Sequence, residues 1–253
     1  MTVKIRVMPT LLFRDVGLVK GVGFDSWRRT GSALQAIKVY NMREVDELVF
    51  LDIRATPEGR TPDYAQVDEL ADECFMPMTV GGGVSDPDHI GGLLAVGADK
   101  VAINTAALLR PQLIRSGAMR YGSQCIVISI DVLRHPDGRT EVMSHCGKMP
   151  TGRDPVEWAK EAEEMGAGEI LLTSVDRDGT FSGYDVALTR QVVNAVKIPV
   201  IASGGCGSYQ HMAEVLVEGK AAAVAAASIF HFTEQTPKEA KQFLKEQGFN
   251  VRL

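Results

Sequence analysis

The run Pro77-Met-Thr-Val-Gly-Gly-Gly-Val84 is an apolar, strand-like stretch that ends in glycines, and Pro199-Val-Ile-Ala-Ser-Gly-Gly-Cys206 repeats its design later in the chain. Small residues at the carboxyl end of a strand let backbone N–H groups close on an anion, most often a phosphate. The two runs are 122 residues apart, and the same offset relates Glu47 to Glu169. The sequence therefore predicts two related halves, each with a phosphate-binding loop.

Short apolar runs alternate with amphipathic stretches along the whole chain. Eight runs are typical of strands buried on both faces, and they span residues 5–12, 47–53, 76–80, 100–103, 125–131, 169–175, 199–202 and 222–226. Helical periodicity follows in residues 32–41, 64–73, 86–94, 111–120, 155–164, 185–196, 209–218 and 237–247. Eight strands that each precede a helix are the pattern of a closed (β/α)8 barrel, the TIM barrel.

We therefore predict an α/β fold with a single TIM-barrel domain over residues 1–253, built from two half-barrels of approximately residues 1–122 and 123–253. An open doubly wound sheet is the alternative. The repeat favours closure, because two equal half-barrels complete each other. The longest connections follow strands, where they can cover an active site, and comprise residues 13–30, 54–63 and 132–154.

The composition excludes several classes of function. A net charge of −5 and the lack of a basic block argue against nucleic acid as the main ligand. No run approaches the ~18 apolar residues of a membrane span, and the first residues contain no signal-peptide core, so the sequence predicts a soluble cytoplasmic protein. The cysteines and histidines show no metal-ligand spacing, so we expect reduced thiols, no metal and no cofactor.

The residues that end the predicted strands are the candidates for chemistry, because these strand ends form the active face of a barrel. They are Leu12, Asp52, Gly82, Gly83, Asn104, Thr105, Asp131, Asp176, Asp178, Ser203, Gly204, Gly205, Ala227 and Ser228. Asp131 closes an apolar strand, where a carboxylate can act as general acid or base, or can cap a loop. Asn104 and Thr105 can hold a phosphate or cap a helix. Asp176 and Asp178 can contact substrate or fix their turn.

Four charged residues lie at the opposite ends of the predicted strands. Arg6, Glu47, Lys100 and Glu169 stand at or near the starts of the first, second, fourth and sixth strands. Residues at strand starts face the bottom of the barrel, where two cations and two anions can form a closed ring of ion pairs. On physical grounds alone we interpret the ring as a structural plug, since charges at the bottom face usually serve stability.

Several long runs carry a resemblance to a known family, among them Asp46-Glu-Leu-Val-Phe-Leu-Asp-Ile53, Gly97-Ala-Asp-Lys-Val-Ala-Ile-Asn-Thr-Ala-Ala107 and Asp176-Arg-Asp-Gly-Thr180. Over essentially its whole length the chain resembles the cyclase subunit of imidazole glycerol phosphate synthase, the histidine-pathway barrel. The resemblance implies a (β/α)8 barrel that binds a substrate with a phosphate at each end. It also implies a glutamine amidotransferase, or glutaminase, on the bottom face. The glutaminase releases ammonia, which crosses the barrel and joins a ribulosyl substrate that splits and cyclises.

The resemblance also assigns roles to residues. It implies that Arg6, Glu47, Lys100 and Glu169 form an ammonia gate, so we now favour a gate over a plug. Neutral ammonia suits an apolar bore, because ammonium would face a large desolvation cost. Asp131 keeps one of two catalytic positions. The phosphate- and substrate-binding positions are Lys20, Asp52, Gly82, Gly83, Asn104, Thr105, Asp178, Gly179, Ser203, Gly204, Gly205, Ala227 and Ser228.

The first strand departs from the family pattern. The family ends this strand Cys-Leu-Asp, and that Asp is its other acid–base carboxylate, whereas Leu12 stands in its place here. Leucine has no proton to transfer, and general acid–base catalysis is typically worth ~10²–10⁴-fold. Asp15 lies three residues into the loop, and we do not assume that it substitutes. Arg54 and Phe181 replace a frequent threonine and a lysine, and we interpret them as bulky groups near the substrate groove.

An offshoot of the family, associated with glycosyl amidation in surface-polysaccharide biosynthesis, resembles this chain in the segments Met8-Pro-Thr-Leu-Leu-Phe13 and Glu73-Cys-Phe-Met-Pro-Met78. The resemblance implies that the barrel passes ammonia from an amidotransferase to a sugar-modifying enzyme that acts on a nucleotide-linked sugar. Three alternatives stay open. They are an authentic cyclase that tolerates Leu12, a non-catalytic phosphate-binding scaffold, and the related phosphoribosyl isomerase, which needs the first-strand Asp and no gate.

Overall fold

Twelve strands occur between residues 4 and 253, the part of the chain that the computed structural model describes. In chain order they are β1 (Arg6–Arg14), β2 (Gly17–Val22), β3 (Asp25–Gly31), β4 (Leu48–Asp52), β5 (Met78–Gly81), β6 (Lys100–Ile103), β7 (Ile126–Arg134), β8 (Thr140–Ser144), β9 (Met149–Pro150), β10 (Glu169–Ser174), β11 (Val200–Ser203) and β12 (Ala223–Ala226). Eight of them, β1, β4, β5, β6, β7, β10, β11 and β12, pair side by side in parallel. The circle closes where β12 pairs with β1 and β7 with β10. The predicted TIM barrel is confirmed.

Helices connect the barrel strands on the outside. They are α1 (Ala33–Met42), α2 (Tyr64–Ala71), α3 (Pro87–Ala95), α4 (Thr105–Leu109), α5 (Gln112–Tyr121), α6 (Pro155–Glu164), α7 (Val186–Ala195), α8 (Tyr209–Val217), α9 (Ser228–Phe232) and α10 (Pro237–Glu246). Side chains cap six of them by accepting first-turn N–H groups that would otherwise lack a partner, and these caps are Asp63, Asp86, Asp154, Asp185, Ser208 and Thr236. No helix within residues 4–253 has the length and apolar character that crossing a bilayer requires.

Alternation of side chains along the strands separates three apolar clusters, two between strands and helices and one on the barrel axis. Outward residues such as Leu11, Phe50 and Ile128 pack under the helices. Inward residues form a smaller cluster on the barrel axis, made of Met8, Val49, Ala102, Val127, Leu171, Ile201, Ala223 and Ala225. We call this set the inner apolar cluster. Both faces of the strands are buried, as the continuous apolar runs predicted.

Two of the predicted loops contain strands that the sequence pattern did not show. β2 and β3 fold back on β1 as an antiparallel hairpin, and β8 and β9 do the same on β7. Residues with positive φ, Asp15, Gly23 and Phe24, reverse the chain in the first of these regions. Backbone hydrogen bonds, rather than an apolar face, hold the polar strand β3 in place.

Candidate active site

A cavity of about 330 Å³ opens at the carboxyl ends of the barrel strands. Its wall contains fifteen of the residues singled out above, namely Leu12, Lys20, Asp52, Gly82, Gly83, Asn104, Thr105, Asp131, Asp178, Gly179, Ser203, Gly204, Gly205, Ala227 and Ser228. The structure therefore brings the top-face candidates to one site, while their individual roles stay predictions. Asp176 does not line the cavity; its Oδ1 accepts hydrogen bonds from the Arg134 N–H and the Ser174 hydroxyl at 3.2 Å each. Asp176 thus fixes its turn.

Asp131 is a buried carboxyl on β7, where this strand begins to pair with β8. Asn104 Nδ2 donates to Asp131 Oδ2 at 3.0 Å. Burial, and next the charge of Asp178, raise the pKa of Asp131 to about 7, against the opposing hydrogen bond from Ser129. A carboxyl that titrates near neutral pH can both give and take a proton in one reaction cycle.

Lys20 and Asp178 form a buried ion pair in the wall of the cavity. Burial raises the pKa of Asp178 although Lys20 acts in the opposite direction. The pair joins the β2 strand of the first hairpin to the loop after β10. Because breaking one partner of a buried pair leaves an uncompensated charge, this contact fixes the hairpin firmly over the cavity.

Leu12 occupies the position on β1 where the resemblance expects a carboxylate, and its side chain is only 9 % exposed. Asp15 does not replace it. Asp15 lies outside the cavity wall, in an exposed turn with φ 59°, within 3.7 Å of the Arg54 guanidinium. Arg54 and Phe181 do not line the cavity wall themselves, and their influence on the ligand stays a prediction. Arg54 turns towards Glu58 instead, at 2.9 Å from Nε.

Two glycine loops stand half a turn apart around the mouth of the cavity, after β5 and β11. Gly82 and Gly204 have φ of 113° and 88°, and a Cβ would lie 2.3 Å from Asp52 O in the first and 2.6 Å from Ser174 O in the second. Only glycine fits these turns without displacing backbone. The helices that start beside the loops, α4 and α9, have no side-chain cap, so their first N–H groups are available to an anion.

Several polar groups around the loops have partners that limit their roles. Asp52 Oδ1 accepts from Arg54 N at 2.8 Å, so this side chain holds the loop after β4 while it lines the cavity. Asn104 stands at the N-cap position of α4, but its side chain makes no capping hydrogen bond, so that alternative is wrong. Its Oδ1 accepts from the Thr105 hydroxyl, and its Nδ2 donates to Ser129 O and Asp131 Oδ2. The buried hydroxyl of Ser228 has no partner within residues 4–253. An anion at this loop would satisfy it.

Sequence reasoning missed part of the cavity wall. Phe24 and Trp27 come from the first hairpin, Arg60 from the loop after β4, and His145 and Cys146 from the turn after β8. Burial raises the pKa of the Cys146 thiol to about 12, which favours the protonated, less reactive form. These residues lie in the three long connections. Their position was therefore predictable, but nothing in their order along the chain showed which side chains face inward.

The opposite end of the barrel carries the predicted ring of ion pairs. Arg6 Nη1 lies 2.6 Å from Glu47 Oε2, and its Nη2 also pairs with Glu169. Lys100 Nζ closes the ring at 2.9 Å from Glu47 Oε1 and 2.9 Å from Glu169 Oε2. The carboxylates are buried, whereas the cations keep about a fifth of their side-chain area exposed, at 22 % for Arg6 and 21 % for Lys100. We call these four residues the charged ring.

Charge compensation holds members of the charged ring ionised. Burial acts to raise the pKa of Glu47, but Arg6 and Lys100 together outweigh it and the pKa is lowered. Burial likewise acts to lower the pKa of Arg6, and the two carboxylates outweigh it. The inner apolar cluster separates the ring from the cavity, and Ala102 and Leu171 belong to both the cluster and the cavity wall. A path between the two ends therefore crosses the apolar side chains of this cluster, while the buried Thr79 hydroxyl lies beside the ring and donates to Glu47 Oε1 at 2.9 Å.

Within residues 4–253 the His, Cys, Asp and Glu side chains form no group of three that could hold a metal ion, and the absence of a cofactor stays a prediction. Comparison with protein families gives a match. A family model described as "Histidine biosynthesis protein" covers residues 6–236. The matched span runs from Arg6 of the charged ring through Ser228 of the cavity, and it includes all eight barrel strands.

Proposed function

The chain belongs to the histidine biosynthesis protein family of barrel enzymes, and on that premise we propose that it is the ammonia-using subunit of a two-protein synthase. This subunit is of the same type as the cyclase subunit of imidazole glycerol phosphate synthase. A glutaminase docks on the bottom face around the charged ring. Ammonia released there crosses the ring and the inner apolar cluster and reaches the cavity. The pair works in the cytoplasm on a phosphorylated small molecule.

The leucine at position 12 is the observation from which we infer an unusual acceptor for the ammonia. With leucine in the cavity wall, only Asp131 remains of the two carboxylates that cyclisation uses in the resemblance. The ring that admits ammonia keeps all four of its charges. We therefore propose that the ammonia serves amidation of a nucleotide-linked sugar in surface-polysaccharide biosynthesis, together with a sugar-modifying enzyme.

An authentic histidine-pathway cyclase is the second candidate, and two observations favour it. Asp131 has a pKa of about 7, which suits a general acid–base. The two glycine loops lie half a turn apart, which fits a substrate with a phosphate at each end. In this alternative, Asp131 alone moves the protons of cyclisation.

Turnover of the ribulosyl substrate with ammonium salt supplied directly separates the two candidates, because it bypasses the glutaminase. Sugar amidation predicts a barrel that binds phosphate ligands with little or no cyclisation. Turnover at ordinary enzyme rates of ~1–10³ s⁻¹ would make the protein a cyclase. Rescue of a histidine-requiring cell that lacks its own cyclase is the matching test in vivo.

Substitution Lys100→Met tests ammonia passage through the charged ring. Methionine keeps the length of the side chain and leaves Glu47 and Glu169 with Arg6 alone. We expect product formation from glutamine, in the reconstituted pair, to fall while product formation from ammonium salt stays unchanged. Lys160→Met, which removes an exposed cation on α6, is the control. If Lys100→Met changes neither reaction and no glutaminase binds, the barrel is a non-catalytic phosphate-binding scaffold.

A further inference from the structure

The last helix of the chain carries a lysine whose side chain is almost completely buried. Lys241 lies on α10 with 1 % of its surface exposed. Its Nζ donates to Glu44 O at 2.6 Å and to Asp46 Oδ1 at 3.2 Å. A buried ammonium group gives up its hydration, so lysine is rarely buried unless it is paired. An apolar side chain would fill this space without that cost, so the ion pair points to a contact that needs a cation.

Asp46 uses its second carboxylate oxygen to hold the start of β1. Its Oδ2 accepts a hydrogen bond from Val7 N at 3.1 Å. The parallel register of β1 with β4 covers Thr10–Phe13 and Val49–Asp52, which lie closer to the cavity. Val7 lies below this register, and there the Asp46 side chain connects the two strands.

This connection lies beside two members of the charged ring. Arg6 precedes Val7 on β1, and Glu47 follows Asp46 just before β4. The ring contact between Arg6 Nη1 and Glu47 Oε2, at 2.6 Å, joins the same two parts of the chain. Two side-chain contacts thus fix the separation of β1 and β4 at the level of the ring. One belongs to the ring itself, and the other depends on Lys241 for its charge balance.

The packing of α10 keeps this contact fixed. Ala240 and Leu244 of α10 belong to one apolar cluster with Val7. A capping box at the start of α10 satisfies N–H groups of its first turn. A capped and packed helix holds the Lys241 ammonium at a constant height relative to β1.

We propose that Lys241 is a positioning residue for ammonia entry. Through Asp46 it fixes the Arg6–Glu47 side of the charged ring and keeps the gap between β1 and β4 closed beside the route of ammonia. Loss of the cation leaves a buried carboxylate uncompensated, which draws water to this gap and releases Val7 N. That the ring admits ammonia rests on the proposed function, whereas the role of Lys241 in fixing the ring does not.

Hydrogen exchange of the Val7 amide measures the contact without an assay of activity. In Lys241→Met the Val7 amide is expected to exchange roughly tenfold faster or more, because the carboxylate without its cation favours open, hydrated conformations. Amides of β7, on the opposite side of the barrel, should keep their rates. Lys245→Met, the same change at an exposed position of α10, is the control and should leave the exchange of Val7 unchanged.

The coupling of glutamine hydrolysis to product formation in the reconstituted pair provides the second measurement. In Lys241→Met the product formed per glutamine hydrolysed should fall by roughly 2- to 30-fold, the range typical of substitutions that act through other residues. Product formation from ammonium salt should stay unchanged, because the cavity lies at the other end of the barrel. Lys241→Gln, which keeps a hydrogen-bond donor and loses the charge, provides the same readouts if the methionine variant does not fold.

A second substitution distinguishes positioning from general stability. Asp46→Asn, added to Lys241→Met, removes the uncompensated charge, and the asparagine oxygen can still accept from Val7 N. We therefore expect the double variant to recover part of the coupling and part of the slow exchange of Val7. Equal acceleration of the Val7 and β7 amides in Lys241→Met would assign Lys241 to general stability and overturn the proposal.

The inference and the proposed function fail on different results. Loss of coupling in Lys100→Met, without loss of coupling or faster exchange of Val7 in Lys241→Met, would overturn this inference and leave the proposed function intact. Unchanged coupling in Lys100→Met, beside faster exchange of Val7 in Lys241→Met, would overturn the proposed function and leave Lys241 as the residue that fixes the ring.

Discussion

Leu12 and Asp131 come from strands on opposite sides of the barrel, β1 and β7, and both line the cavity. Leucine in place of a carboxylate at position 12 removes a proton-transfer group and also changes the surroundings of Asp131. An apolar neighbour across the cavity leaves Asp131 in a drier environment, and burial is the main reason for its raised pKa. A single carboxyl of this kind can exchange protons with a ligand, but it cannot act as acid and base at two places at once.

Substitution Leu12→Asp is expected to raise ammonium-dependent cyclisation of the ribulosyl substrate, by up to the ~10²–10⁴-fold that acid–base catalysis supplies. The gain should be partial if the rest of the wall has adapted to another ligand. Initial rates of the variant and the unmodified protein provide the measurement. Leu12→Asn is the control, because asparagine has the shape of aspartate and no titratable proton. An equal gain in the Asn variant would show that polarity, and not proton transfer, is responsible.

Asp131 is also expected to make stability depend on pH. Its pKa is 3.8 in an ordinary environment and about 7 in the folded protein, so the folded state binds more protons in this interval. The free energy of unfolding that depends on Asp131 therefore falls as pH rises from 3.8 to about 7. In Asp131→Asn this fall in the free energy of unfolding is absent. Thermal melts should show the melting temperature of the variant rising relative to that of the unmodified protein between pH 3.8 and about 7, with a constant difference at higher pH.

The same substitution at an exposed position, Asp68→Asn, controls for the change of charge and should track the unmodified protein at every pH. A difference between Asp131→Asn and the unmodified protein that stays constant from pH 4 to 8 would contradict the burial of an ionisable group at this position.

At the scale of elements, strand ends were predictable and hairpins were not. Continuous apolar runs mark strands buried on both faces, and parallel strands end at one edge, so the residues after the runs had to meet there. The pattern could not show β3, because Asp25-Ser-Trp-Arg-Arg-Thr-Gly31 has no apolar alternation and its pairing depends on backbone bonds. It also could not show that Arg54 and Phe181 lie outside the cavity wall, since side-chain direction within a loop depends on turns that the pattern does not encode.

The glycine loop after β11 can be tested as a phosphate-binding element. Gly204→Ala places a methyl group 2.6 Å from Ser174 O, so the turn must shift. Inorganic phosphate is expected to bind at least about tenfold more weakly, since one misplaced charge-assisted hydrogen bond costs roughly 1.5–3 kcal/mol. Calorimetry measures the affinity. Gly138→Ala is the control, because Gly138 has φ 88° and open space around it. Equal losses of affinity would assign the effect to general strain.

For the whole molecule, the two ends of the barrel differ in kind. One end is a compensated ring of four charges, the other is a cavity with glycine loops, and apolar side chains lie between them. The repeat of 122 residues assigns four barrel strands to each predicted half. Each end contains residues from both halves. The charged ring, for example, takes Arg6, Glu47 and Lys100 from the first half and Glu169 from the second. Neither half alone completes either end.

Residues 1–122 and 123–253, expressed as separate chains, are therefore expected to assemble into a one-to-one complex. The division falls at Gly122, which ends α5 with φ 90°, and the β6–β7 and β12–β1 pairings would form between the chains. Size-exclusion mass and circular dichroism measure assembly. Division after Gly166, which leaves five barrel strands in one piece and three in the other, is the control. Equal assembly by both divisions would remove the support for two half-barrels.

β1 spans the barrel from end to end: Arg6 belongs to the charged ring, Met8 to the inner apolar cluster, and Thr10 and Leu12 to the cavity wall. β10 does the same with Glu169, Leu171 and Thr173. Insertion of one residue in β1 would turn all four of its side chains outward, and insertion of two would move each into the level of its neighbour. Evolution can therefore alter this strand only by exchanging side chains at fixed heights, never by changing its length. Under that constraint, a side chain in the cavity wall can be replaced without disturbing the charged ring at the other end of the barrel.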